Sequence, residues 1–157
     1  MGDYDEALNS HNLSLDIRKQ FGDKKGMSSN LLGIGVVYFY KGNYEKALNY
    51  LTLSFKIVKE MGGASFWNTT FIQLSYKKLG EKYDKKEIIR VIKEDKDENI
   101  EFYINYPLYQ LLEDKSYLET AYNQVQEKAS AMEDELKAKF LSYPIPKAIV
   151  EEWEKVK

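Results

Sequence analysis

The chain has 157 residues, 43 % hydrophobic and 31 % charged, with a net charge of −2 and no cysteine. That balance suits a globular fold with a real core; it speaks against a general nucleic-acid binder, which needs a concentrated basic surface, and it excludes disulfides and thiol catalysis. No apolar run approaches the roughly 18 residues of a membrane span and no leader resembles a signal peptide, so no membrane contact and a cytoplasmic location are expected.

Residues 3–21 read as a helix with Tyr4, Ala7, Leu8, His11 and Leu15 on one stripe. Gly22 is placed for a left-handed cap, and Asp23 for the N-cap of a helix over 24–41. Gly42-Asn43 turns the chain, and Asn43 opens a helix over 44–61. Gly35 on the first of these and Ala47 on the second are expected to face each other, since small residues let helix axes approach toward the short end of about 8–10 Å. Leu31, Ile34, Tyr38, Leu48 and Leu51 fill the space around them. Gly62-Gly63 breaks the chain before a helix that starts near Ala64 and carries Phe66, Phe71, Ile72, Leu74 and Leu79. A shorter helix follows over 84–94. Asp95-Lys96-Asp97-Glu98 is a charged connector, without the spaced oxygen ligands and turn glycine of a calcium loop. In the aromatic stretch 100–112, Pro107 predicts a kink or a restart. A long helix is then expected over 117–140, its inward stripe made by Tyr117, Leu118, Ala121, Tyr122, Val125, Ala129, Met132 and Leu136. Tyr143-Pro144-Ile145-Pro146 leads into a last helix, with Trp153 expected to dock near Val125, Ala129 or Met132.

A shift of forty residues carries Gly2-Asp3-Tyr4-Asp5-Glu6-Ala7-Leu8-Asn9 onto Gly42-Asn43-Tyr44-Glu45-Lys46-Ala47-Leu48-Asn49, Leu13-Ser14 onto Leu53-Ser54, Ile17 onto Ile57 and Gly22 onto Gly62. Such a period marks a stacked repeat array. With Leu31, Ile34, Gly35, Tyr38, Gly42, Ala47, Leu51 and Ser54, it resembles the tetratricopeptide repeat family, whose usual period is about 34 residues. The excess of about six adds roughly 9 Å of helix, shared by two helices, which resembles the long-helix subgroup found in signalling scaffolds. The resemblance implies an all-α, right-handed superhelix of antiparallel helix pairs. The chain is expected to form one domain: a half repeat over 1–22, a full repeat over 23–62, a degenerate one over 63–96, a helical pair over 97–141 and a capping helix over 142–157. Leu118-Glu119-Thr120-Ala121-Tyr122, Ala129, Met132-Glu133-Asp134, Phe140-Leu141, Pro144 and Trp153 are similar to the closing segment of repeat arrays in large bacterial signalling proteins. That implies a carboxyl-terminal piece of something longer.

Catalytic chemistry has little to rest on. His11 has no partner constellation in sequence and reads as a packed or groove-edge residue. Gly33-Ile34-Gly35 lies inside a helix and lacks the lysine and strand of a phosphate loop. Zinc and nucleophile motifs are missing, so no metal, no cofactor and no enzyme activity are expected. The lysines around Lys77–Lys96 alternate with Glu81, Asp84, Glu87, Glu94 and Asp95, as on a solvated helix face. The resemblance implies a concave face lined by the first helix of each repeat, here Ser29, Leu32, Gly33, Val36, Phe39 and Tyr40, then Thr69, Ile72, Gln73 and Tyr76. These are apolar and aromatic, without the basic residues that grip a terminal carboxylate in chaperone-binding members. They suit an amphipathic helix or apolar peptide. The expected function is a protein-interaction scaffold or sensor; the alternatives are a peptide-sensing regulator and a regulatory part of an ATPase or nucleotide cyclase acting in cis. Tyr4, Leu8, His11 and Leu15 are expected to form an outward stripe that supports a homodimer.

Overall fold

The structure, a computed structural model, describes residues 4–63, 65–94 and 100–157. Gly2-Asp3, Ala64 and the charged connector at Asp95-Lys96-Asp97-Glu98 lie outside them. Nine helices and no strand are found among the described residues: α1 (Tyr4–Phe21), α2 (Lys24–Tyr40), α3 (Tyr44–Glu60), α4 (Phe66–Lys78), α5 (Lys85–Glu94), α6 (Phe102–Leu112), α7 (Lys115–Ser130), α8 (Asp134–Ser142) and α9 (Pro144–Val156). They fall into two compact units, α1–α5 within Asp3–Lys96 and α6–α9 within Asp97–Lys157.

In the first unit, local chemistry sets the helix ends. Gly22 and Gly42 take φ of 65° and 79°, a conformation that costs a glycine little. The Gly42 and Asn43 amides then reach the Phe39 and Tyr38 carbonyls, both at 2.9 Å. Asp23 accepts from the Gly26 amide at 2.9 Å and Asn43 from the Lys46 amide at 3.1 Å, which satisfies amides that a helix start leaves open. Asp84 caps α5 in the same way through the Lys86 and Glu87 amides.

Each helix of this unit packs on the next. Leu15, Leu31 and Ile34 form a buried cluster, with Leu8, Tyr38, Tyr50 and Ile57 against it. At the α2–α3 crossing the close neighbour of Gly35 is Leu51, whose Cγ would stand 2.7 Å from an added Cβ. Ala47, expected there, is one turn away and fully buried. The hydroxyl of Ser54 donates to the Ser28 carbonyl at 2.7 Å, and Asn68 Nδ2 donates to the Leu51 carbonyl at 3.2 Å.

The stripe on α1 corrects an expectation. Leu8 and Leu15 turn toward α2, and Leu15 is buried; His11 lies against Gly33 of α2, and Tyr4 is half-buried. The short turn at Gly22 brings α2 straight back onto this apolar side, so these four residues do not form the outward patch. The exposed apolar residues of α1 are Leu13 (67 %), Ile17 (47 %) and Phe21 (82 %).

In the second unit α6, α7 and α9 enclose Phe102, Leu118, Ala121, Val125 and Ile149. Asn105 Nδ2 and Gln124 Nε2 both donate to the Ile100 carbonyl, at 2.6 and 2.8 Å, and tie the entry of α6 to α7. Pro107 neither restarts nor ends α6, which continues to Leu112 with the proline buried, although the ring removes one backbone hydrogen bond. The single helix expected over 117–140 is two. α7 stops at Ser130, and Glu133 is extended (φ −64°, ψ 154°) before α8. The break lets Phe140 return to Phe102, ring centres 6.1 Å apart, and it leaves Leu136, expected inside, 58 % exposed. Trp153 does dock on α7, but its ring stacks on Tyr122, 5.3 Å between centres, one turn before Val125.

Candidate functional site

The expected partner-binding residues lie on α2 and α4, which pack directly on each other. Phe39 of α2 meets Phe71 of α4 edge-on at 5.5 Å, and Tyr40 meets the same ring at 6.1 Å. Along α2, Leu32, Val36 and Tyr40 recur every fourth residue and are all half-buried, while Ser29 beside them is exposed. On α4, Ile72 and Tyr76 have the same spacing and the same partial exposure. All five are apolar or aromatic, partly exposed, and carried by two helices that pack on each other.

Three other expected members serve the fold. Phe39 is only 6 % exposed, wedged between Phe71 and the Tyr44 ring 5.3 Å away; its volume fills the junction of α2, α3 and α4. Thr69 is 3 % exposed, with its hydroxyl, like that of Ser65, buried and unpaired. Gln73 uses its Oε1 to accept from the Asp84 amide at 2.7 Å, holding the turn into α5. Gly33 is occupied by the His11 imidazole, whose Cε1 would be 2.5 Å from an added Cβ, which makes His11 a packing residue.

One part of this surface escaped sequence reasoning. Ser28, Ser29, Leu32, Ser54, Val58, Trp67 and Asn68 line a hollow of about 140 Å³, near the size that holds a benzene ring in an apolar cavity. The hydroxyls of Ser28, Ser29 and Ser54 donate to backbone carbonyls of α2, and the Asn68 amide donates to one of α3. Leu32, Val58 and Trp67 supply the apolar wall, so the hollow suits an uncharged side chain. Trp67, 37 % exposed, was the available signal; its place beside Leu32 depends on how α2 and α4 pack.

On α5 charge is paired locally. Arg90 bonds Glu87 at 2.5 Å and Glu94 at 2.7 Å. The Arg90 hydrogen bond holds the Glu87 carboxyl below its ordinary range, and the two carboxylates push the guanidinium up. Lys77 and Lys85 stand 5.2 and 5.9 Å from the centre of the Tyr83 ring. Among the described residues no three histidine or carboxylate side chains converge to hold a metal ion, and no helix is long and apolar enough to cross a membrane.

Serial helix pairs with half-buried apolar residues on the first helices are an all-α repeat arrangement. Residues 1–60, through the end of α3, match the family model described as tetratricopeptide repeat. No curated protein and no solved structure matches the chain.

Proposed function

We propose that the chain is a non-enzymatic protein–protein interaction module that takes an apolar or amphipathic helix along α2 and α4. The observation that carries this reading is the five-residue surface of Leu32, Val36, Tyr40, Ile72 and Tyr76. Partly exposed side chains at four-residue spacing on two packed helices form ridges into which a third helix can lay its own i, i+4 row. The match of residues 1–60 to a repeat family known for binding proteins supports it. The hollow beside Leu32 and Trp67 gives such a helix one anchoring pocket, and a large apolar side chain there is the residue expected to dominate binding. A scaffold or sensor role in a larger signalling protein belongs to the same reading, carried by the likeness of the closing segment.

The test begins with a display library of amphipathic helical peptides selected against the whole chain. The double variant Tyr40→Ala/Tyr76→Ala is expected to lose binding of the selected peptide while its circular dichroism spectrum stays that of the parent. Undiminished affinity with an intact fold would refute the reading.

A further inference from the structure

Four oxygen-bearing side chains line the hollow formed by α2, α3 and α4: Ser28, Ser29, Ser54 and Asn68. Each serine proton is already engaged by a backbone carbonyl. Ser28 and Ser29 donate to the Lys25 carbonyl at 2.8 and 3.2 Å, and Ser54 donates to the Ser28 carbonyl at 2.7 Å. A hydroxyl that donates keeps its lone pairs, so the three serines meet a ligand as acceptors. Asn68 is oriented by its Nδ2, which donates to the Leu51 carbonyl at 3.2 Å, and its Oδ1 is a further acceptor. Ser28, Ser54 and Asn68 are 4 %, 1 % and 3 % exposed. Their hydrogen bonds are therefore shielded from water, and breaking one leaves a buried polar group unpaired.

We infer that this hollow takes the phenol of a tyrosine side chain. A ligand O–H or N–H gains a hydrogen bond there while every existing one is kept; a ligand acceptor must first displace one. None of the lining residues is charged, so a lysine or arginine would leave water without a counter-charge. Leu32, Val58 and Trp67 form the rest of the wall and call for a ring rather than a short polar group. The volume of about 140 Å³ is that of a single ring, close to the roughly 150 Å³ of an apolar cavity that holds benzene. The second ring of a tryptophan would project from it. Tyrosine alone among side chains joins one six-membered ring to a neutral donor. That this tyrosine comes on a helix laid along α2 and α4 rests on the binding reading above; the choice of a phenol rests on the hollow itself.

Three small probes separate the ring from its proton: p-cresol, toluene and p-methylanisole. Each is titrated into the full chain and followed by the shifts of the Leu32 and Val58 methyls and the Trp67 indole N–H. All three are expected to move these signals, with p-cresol binding about three- to tenfold more tightly, the effect of one hydrogen bond. In Ser28→Ala/Ser29→Ala/Ser54→Ala that advantage should largely vanish while toluene still binds. Ser28→Ala/Ser29→Ala removes no bond between helices, and it should narrow the advantage even if the triple variant fails to fold. Toluene or p-methylanisole binding as tightly as p-cresol overturns the inference. So does an advantage that both variants leave unchanged, and so does the absence of p-cresol shifts at the hollow. Helical peptides selected against the chain then test the tyrosine in its place, through its replacement by phenylalanine. A peptide that binds along α2 and α4 and loses nothing on that replacement overturns the tyrosine and leaves the helix reading standing. The expected probe preference without any helical peptide bound supports the phenol site and refutes the helix reading.

Discussion

A methyl group added at Gly35 would stand 2.7 Å from Leu51 Cγ, 2.9 Å from its Cδ2 and 3.2 Å from its backbone nitrogen. Alanine favours a helix over glycine by about 1 kcal/mol. Leu51 is fully buried, however, and a backbone atom of α3 cannot yield without moving the helix. Gly35→Ala is therefore expected to cost about 1–3 kcal/mol, read from the midpoint of chemical denaturation; a higher midpoint would mean that the two helices do not cross there. That a small residue was required at Gly35 was legible in the sequence, as were the caps at Asp23 and Asn43, because a cap is satisfied within three residues. The partner of Gly35 was not. Whether Ala47 or Leu51 meets it depends on the crossing direction of two helices, which no local pattern encodes. The same holds for Phe39, expected to contact a partner, which packs on the Phe71 ring in the core.

Among the elements, α9 shows how a terminal helix is held. Trp153 stacks on Tyr122 of α7, Lys115 Nζ stands 5.3 Å from the centre of the indole ring, and the same ammonium donates to the Val156 carbonyl at 2.6 Å, near the negative end of the helix. Trp153→Ala should cost about 3 kcal/mol, the low end for a tryptophan because the ring is only partly buried; a urea midpoint equal to that of the parent would mean that α9 is not packed. α6 adds a pH dependence. Burial first, then the Glu152 carboxylate, raise the Tyr106 phenol above its ordinary value of 10.0, and burial with the hydrogen bond to Glu152 does the same for Tyr109. A raised folded value means that the unfolded chain releases these protons first. The stabilisation is thus complete below pH 10 and is lost as pH rises above it. Thermal melts should fall as pH rises above about 10, and Tyr106→Phe should flatten that fall; an equally steep fall in the variant would contradict the assignment. The period of the apolar residues predicted eight of these nine helices, but not the gap between α7 and α8. Ala129-Ser130-Ala131-Met132 contains no helix breaker, and the return of Phe140 to Phe102 is a tertiary demand.

At the scale of the molecule, composition and a forty-residue internal period sufficed to indicate an all-helical repeat, and the family match ends with α3, where the sequence pattern itself decays. The proposed binding surface of Leu32, Val36, Tyr40, Ile72 and Tyr76 comes from the resemblance, which assigns the concave face to the first helix of each repeat, and from helical spacing along those helices. Trp67 and its hollow were not legible, because they arise from three helices that are separated in sequence. The central claim is that a partner helix lies along α2 and α4. Amide chemical shifts of the labelled chain, followed while a selected amphipathic helical peptide is added, test it most directly. The account predicts that the largest changes fall at Leu32, Val36, Tyr40, Trp67, Ile72 and Tyr76; changes centred on any other face, with these six unmoved at saturation, would contradict it.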